Sequence, residues 1–168
     1  MVSDAFVDLK GVELTYDDLF EQGEGRLTAV LGLDLQIRVG EFVAVVGPSG
    51  CGKSSLMKLV TGLVAPTQGT VVVDGTTVSG PIEGVGMAFQ NATLMPWRTT
   101  LDNILLPFEI VPPHKHRIRA HRAEYVARGE RLLASVGLGD FGQKFPWQLS
   151  GGMQQRANLC RALIHEPR

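Results

Sequence analysis

The chain has 168 residues, of which 44% are hydrophobic and 20% charged, and its formal net charge is -1. This size and composition predict one soluble globular domain, and the charge argues against whole-surface attraction to nucleic acid or anionic lipid. No run of about 18 apolar residues could span a bilayer, and no signal peptide is visible, so any membrane association is expected to be peripheral and through a partner. The only cysteines, Cys51 and Cys160, are expected to be reduced in a cytoplasmic protein.

Three strands are predicted ahead of the first glycine-rich loop. Residues 6–16 and 31–39 alternate apolar with polar residues or glycine, which is typical of strands with one face in solvent, and a polar loop over residues 17–25 separates them. Residues 42–46 form an unbroken apolar run, which predicts a strand buried on both faces of a parallel sheet. The order predicts an α/β fold with an antiparallel β layer beside a partly parallel core sheet.

The third predicted strand leads into a phosphate-loop pattern of Gly, four residues, Gly, Lys and Ser. The glycines let backbone N–H groups, and the N-terminus of a helix predicted over residues 54–63, converge on phosphate oxygens. The lysine adds a positive charge, and the serine hydroxyl suits Mg²⁺. A chance glycine-rich turn is the alternative, and the flanking strand and helix argue against it. The pattern consists of Gly47, Pro48, Ser49, Gly50, Cys51, Gly52, Lys53 and Ser54.

A hairpin and another buried strand follow. Residues 69–73 predict a strand that is closed by a turn at Asp74 and Gly75. Residues 84–89 predict a second strand in the parallel core. That strand would deliver Gln90 at its C-terminal end, where ligands bind in open α/β sheets.

Residues 91–150 carry helical patterns and no strand pattern. One helix is predicted from Thr100 and another over residues 117–136, so we expect a helical insert, roughly residues 91–150, within a single domain of residues 1–168. The basic, histidine-containing run over residues 113–122 is either a solvated helix start or a metal or nucleic-acid patch. The first is favoured because the run contains no Cys, carboxylate or aromatic residue.

A second glycine motif opens the last predicted helix. Ser150 is a suitable N-cap, and Gly151 and Gly152 follow it at a bare helix N-terminus, which is a second anion-accepting feature. The helix is expected to reach His165 with one apolar face. That face consists of Met153, Ala157, Cys160 and Ile164.

At this point the residues resemble the ATP-binding subunits of ABC transporters over essentially the whole chain, and the implied fold is that of a P-loop NTPase of the ABC ATPase type. Residues 149–153 are similar to the family's signature motif, with Met153 where many members have Gln. Residues 47–55, which end at Ser55, are similar to its Walker A loop and Gln90 to its Q-loop glutamine. Tyr16 is similar to its adenine-stacking aromatic residue, although a core residue at a strand end is the alternative.

The resemblance implies ATP and Mg²⁺ as cofactors. Lys53 and Gln90 would be catalytic, and Ser54 and Gln90 would bind the metal. Two copies would pair head to tail, so that each phosphate loop faces the other copy's signature motif. The residues expected to bind nucleotide are Tyr16, Gly47, Pro48, Ser49, Gly50, Cys51, Gly52, Lys53, Ser54, Ser55, Gln90, Ser150, Gly151, Gly152 and Met153.

A narrower resemblance extends over residues 89–103, which are similar to importers of the nitrate, sulfonate and taurine group. In that family the ATP-binding subunit lies on the cytoplasmic face of the membrane and contacts permease subunits near the Q-loop. Trp97 and Trp147 are either packing residues or subunit contacts.

The sequence stops at Arg168, directly after the last predicted helix. In the family a Walker B strand with an Mg²⁺-binding Asp and a catalytic Glu follows there, and a switch His comes later. We therefore expect a C-terminally truncated fragment with weak or no ATP turnover of its own.

The leading function is an energy-coupling ATPase subunit of an importer for a small solute. One alternative is a nucleotide-binding module without ATP turnover. Another is a non-transport ABC ATPase acting on nucleic acid or ribosomes, which is disfavoured because the chain lacks the tandem domains or long inserts common there. A nucleotide kinase or GTPase is disfavoured because neither needs the motif at Ser150.

Overall fold

The computed structural model describes residues 5–17 and 26–167, which fall into two compact units, Met1–Ile82 and Glu83–Arg168. The first unit is built on one sheet and the second on helices. Among these residues no helix is both long and apolar enough to cross a bilayer. The single domain with an insert at residues 91–150 stays a prediction.

The sheet of the first unit is antiparallel and has the strand order β2-β1-β3-β4. Its strands are β1 (Ala5–Asp17), β2 (Arg26–Arg38), β3 (Gln68–Val73) and β4 (Thr76–Thr77). Asp74 and Gly75 both have positive φ in the turn between β3 and β4, as the sequence predicts. The predicted antiparallel layer is confirmed, while the loop predicted over residues 17–25 lies, from residue 18 onward, outside the described residues.

The core of this unit lies between the sheet and α1 (Lys53–Val60). On β2 the predicted alternation holds from Leu33, but Leu31 is exposed, and so is Val39 just after the strand, against the prediction. Val12 pairs with Leu33 and Leu14 with Val30, so β2 has one extra residue there, beside Gly32 with its positive φ. Such a bulge changes the face on which the following side chains lie. The buried residues are Val7, Leu9, Val12, Leu14, Leu59, Val71 and Val73.

The two strands predicted for a parallel core are wrong. Residues 42–46 and 84–89 have no strand structure, and Phe42 and Val46 are 94% and 91% exposed. An apolar, β-branched run indicates that the segment favours burial, but a strand also needs a neighbouring strand to which its backbone can hydrogen-bond. Within the described ranges, neither segment is paired with a strand of the sheet. Gln90 therefore follows an irregular segment.

The second unit packs α2 (Thr100–Ile110), α3 (His114–Arg117), α4 (Arg122–Ser135) and α5 (Gly151–Leu163) around one core. Leu101, Ile104, Phe108, Leu133 and Ile164 are among its buried side chains. The face predicted for the last helix is confirmed, since Ala157 and Cys160 are buried and Met153 packs against them. Burial raises the pKa of the Cys160 thiol.

The helix predicted over residues 117–136 is present as α4 but begins only at Arg122, because the chain leaves helical geometry between α3 and α4. His121 has φ -119 and ψ 30. Arg119 and Arg122 would be three residues apart on the predicted helix. Like charges at this spacing destabilise a helix, which favours the later start.

Candidate functional site

The predicted phosphate loop lies in the first unit and leads directly into α1. Gly50 and Gly52 have φ values of 83 and 94, in the left-handed region that side chains disfavour. A Cβ at Gly52 would collide with the backbone oxygen of Ala29 on β2, whereas a Cβ at Gly50 would meet open space. Both positions therefore favour glycine because of their backbone conformation, and Gly52 also because a side chain would not fit beside Ala29.

The Lys53 ammonium group lies within the loop. Its Nζ donates hydrogen bonds to the backbone oxygens of Gly47 at 2.8 Å and Pro48 at 2.5 Å, and the Cys51 Sγ lies 3.5 Å away. No ion pair holds Lys53 among the described residues. Its charge is thus available to phosphate oxygens that replace the carbonyl groups.

The N-terminus of α1 is suited to an anion. Gly52 is its N-cap, no side chain caps it, and its first turn holds no acidic residue. The helix end therefore keeps its partial positive charge and N–H groups beside the loop. Ser54, in that first turn, is exposed.

Tyr16 is brought to the same helix end. Its hydroxyl oxygen lies 3.3 Å from the Ser55 Oγ, within hydrogen-bond distance, and its ring is half-buried against the core of the sheet. The structure therefore places Tyr16 beside the Walker A segment, and an adenine-stacking role stays a prediction.

The signature residues form the N-terminus of α5, in the second unit. The Ser150 Oγ accepts a hydrogen bond from the Met153 N–H at 3.3 Å, which confirms the predicted N-cap. Ser150, Gly151 and Gly152 are exposed, and a Cβ on either glycine would meet no atom within 4 Å. A ligand or another chain can therefore approach this backbone closely.

Gln90 belongs to the second unit, and three side chains of α5 hold its segment. The Gln155 amide donates to the Gln90 backbone oxygen, and the Asn158 Nδ2 donates to the Phe89 oxygen at 3.0 Å. Arg161 donates to the backbone oxygen and Oγ1 of Thr93 at 2.7 and 2.8 Å. The helix that begins with the signature motif therefore fixes the backbone around Gln90.

Sequence reasoning missed these three residues. They recur every third residue on α5, and Asn158 is fully buried between the apolar residues Ala157 and Cys160. Polar residues with helical spacing next to an apolar face would have been a usable indication, because a buried amide needs hydrogen-bond partners. Burial also lowers the pKa of Arg161.

Asn103 is the last residue of the segment that resembles the importers, and it organises the loop after Gln90. It is fully buried; its Oδ1 accepts from the Met95 N–H at 2.6 Å and its Nδ2 donates to the backbone oxygens of Met95, Arg98 and Thr99. The loop is therefore fixed from inside the helical unit. Trp97 in this loop is 72% exposed and so is not a packing residue.

Nowhere in the described part of the chain do three or more His, Cys, Asp or Glu side chains form a group that could hold a metal ion. The hydroxyl of Ser54 and the amide of Gln90 are oxygen donors of the kind Mg²⁺ prefers.

A phosphate loop ahead of a helix, followed by a helical unit with a second glycine-opened helix, defines a P-loop protein of the ABC ATPase type. The family described as ABC transporter matches residues 30–168, and the chain belongs to that family. An uncharacterized ABC transporter ATP-binding protein of Methanocaldococcus jannaschii is 40% identical over 161 residues, covering 96% of this chain and 57% of the relative.

Two further relatives are named as import proteins. The taurine import ATP-binding protein of Pseudomonas aeruginosa is 42% identical, covering 88% of this chain and 54% of that protein. An aliphatic sulfonates import ATP-binding protein of Agrobacterium fabrum is 44% identical, and the match covers 82% of this chain and 48% of that protein. The predicted resemblance to taurine and sulfonate importers is confirmed. The chain spans about half the length of these curated relatives.

A solved structure gives the same family at the level of fold. It is a dimeric, post-hydrolysis state of an ATP-binding cassette bound to ADP and Pi, with a TM-score of 0.80 and 33% identity. The match covers 96% of this chain and 70% of the other. The predicted fold class is confirmed.

Proposed function

We propose that this chain is the ATP-binding part of the energy-coupling subunit of an ABC importer for a small solute of the nitrate, sulfonate and taurine kind. The observation that carries the proposal is the phosphate loop, in which Lys53 lies 2.8 Å from the Gly47 oxygen ahead of an uncapped helix. The importer names of the relatives support the solute class.

In this proposal the loop binds the phosphates of ATP. Lys53 exchanges its carbonyl partners for the outer phosphate oxygens and stabilises the charge that develops during phosphoryl transfer. The N–H groups at the start of α1 bind the inner phosphates, and Tyr16 stacks on the adenine.

Ser54 and Gln90 would hold Mg²⁺ together with phosphate oxygens. The ion would bridge and partly neutralise the outer phosphates. The protein would contribute the Ser54 hydroxyl, in the first turn of α1, and the Gln90 side-chain amide. Gln155 and Asn158 fix the backbone of the segment that carries Gln90. Lys53 and Gln90 are thus the proposed catalytic residues.

A second copy would complete the site. Ser150, Gly151, Gly152 and Met153 of one copy would bind the nucleotide held by the other, because two glycines leave this helix N-terminus open to close approach. The dimeric state of the solved relative supports this pairing.

The permease contact is assigned to the exposed loop after Gln90. This loop carries the exposed Trp97 and is held by Asn103, so a force on the loop reaches the helical unit. The chain would then act at the cytoplasmic face of the membrane as a peripheral subunit.

Calorimetric titration of the 168-residue chain with ATP and Mg²⁺ tests the proposal. Lys53→Ala should weaken ATP binding at least about tenfold, since a charge-assisted contact to phosphate is lost. Lys58→Ala, at the other end of α1, is the matched control and should bind like the wild type. Equal affinity of all three proteins would contradict the proposal.

A further inference from the structure

A basic cavity in the helical unit has no part in the nucleotide site proposed above. Its volume is about 760 Å³, and it opens where α2, α3 and the start of α4 meet. That volume suits a small molecule, since ligand pockets measure roughly 300–1,000 Å³. The lining residues are Glu109, Lys115, His116, Ile118, Arg119 and Arg122.

The charges around the cavity do not cancel. Its one carboxylate, Glu109, is already held by both nitrogens of the Arg98 guanidinium at 2.9 and 3.0 Å. Arg122 forms an ion pair with Asp102 at 3.3 Å. Lys115 and Arg119 form no ion pair with any residue that the structure describes. Two positive charges therefore face the cavity without a counter-charge.

The segment that carries Lys115 and Arg119 is anchored to the core of the helical unit. Ile118 is 7% exposed, so its side chain anchors the segment between Lys115 and Arg119 in the core of the unit. Lysine provides a point charge and arginine a planar pair of donors that fits phosphate oxygens.

We propose that this cavity binds a small phosphate-bearing ligand with at least two negative charges, held by Lys115 and Arg119. Free phosphate compounds and the headgroup of an anionic phospholipid share this chemistry. The cavity shares no residue with the phosphate loop, so the absence of a ligand in the cavity would leave the proposed function unaffected.

The test uses the chain carrying Lys53→Ala, which removes the main phosphate contact of the loop. Pyrophosphate is titrated by calorimetry at low salt, and vesicles of phosphatidylcholine with or without phosphatidic acid are tested by co-sedimentation. Lys115→Gln with Arg119→Gln should weaken binding about tenfold, because two charge-assisted contacts are lost. Circular dichroism checks that these exposed substitutions leave the fold intact.

Arg117→Gln is the matched control, since Arg117 belongs to the same basic run but does not line the cavity. It should weaken binding less than about twofold. Saturable pyrophosphate binding with this pattern identifies a free phosphate compound, and the same pattern with phosphatidic acid alone identifies the lipid headgroup. Binding of neither probe, or equal weakening by the control, overturns the proposal.

Discussion

At the residue scale, the phosphate loop depends on two glycines for different reasons. Both Gly50 and Gly52 have left-handed backbones, but only Gly52 lies against another part of the chain, the backbone oxygen of Ala29. The loop therefore packs closely against β2 at Gly52, next to the Ala29 oxygen. Because the loop geometry sets where its N–H groups point, that contact also matters for anion binding.

Replacing these glycines separates the two effects. Gly50→Ala should lower the free energy of unfolding by about 1–2 kcal/mol, because alanine disfavours positive φ. Gly52→Ala adds a steric collision and should lower it by about 1–3 kcal/mol more. Urea unfolding of both variants and the wild type measures the difference. Equal losses for the two variants would show that the contact with Ala29 is unimportant.

At the element scale, α5 connects the signature motif to the backbone around Gln90. Gln155, Asn158 and Arg161 all donate from one side of this helix to residues 90, 89 and 93. A shift of α5 along its axis would thus move the Gln90 segment with it. Hydrogen bonds thus link the helix that carries the signature residues to the segment around Gln90.

Asn158→Ala tests this link. The substitution removes a fully buried amide, which leaves the Phe89 oxygen without this donor and takes one of its hydrogen bonds from the Arg161 guanidinium, so stability should fall by about 1–3 kcal/mol. Chemical denaturation gives the value. Leu159→Ala, 46% exposed on the same helix, should cost less than about 1 kcal/mol. An Asn158→Ala protein as stable as this control would refute the link.

The contact between α3 and α4 gives the helical unit a pH dependence. Burial, then the charge of Arg128, lowers the pKa of His114 from 6.5, and its Nδ1 lies 3.2 Å from the Tyr125 hydroxyl. His165 and Arg117 also lower this pKa, and Glu166 raises it. A lowered pKa means that the unfolded chain binds the proton more readily. The stability contribution is thus full above pH 6.5 and is lost as the pH falls through the folded pKa.

His114→Gln should reduce this loss. We expect the free energy of unfolding of the wild type to fall more between about pH 7.5 and 5.5 than that of the variant. Parallel pH profiles of wild type and His114→Gln would rule out His114 as the titrating group.

Local patterns predicted elements whose partners are near in the sequence. The Ser150 cap, the turn at Asp74 and the buried face of α5 are all set within a few residues, and they were found. The segments 42–46 and 84–89 were not predicted correctly, because a parallel strand depends on a distant neighbour. The bulge beside Gly32 could not be predicted from local patterns either, because it depends on how β2 pairs with β1.

At the scale of the whole molecule, the predicted motif residues divide between the two units. The phosphate loop and Tyr16 lie in the first, and Gln90 and the signature residues in the second. The sequence predicted each site residue by motif, but the side chains that hold Gln90 became visible only in the folded helical unit. Their partners are 65 to 69 positions away along the chain, beyond any local pattern.

The most direct measurement is a two-dimensional NMR spectrum of the ¹⁵N-labelled 168-residue chain, recorded with and without ATP and Mg²⁺. Binding at the phosphate loop predicts that the backbone amide signals of Gly50, Gly52 and the first turn of α1 shift most, and that these shifts need at least about tenfold more ATP in the Lys53→Ala protein. Loop signals that stay unchanged at saturating ATP, or the same ATP dependence of the shifts in the wild type and the Lys53→Ala protein, would contradict nucleotide binding at this site.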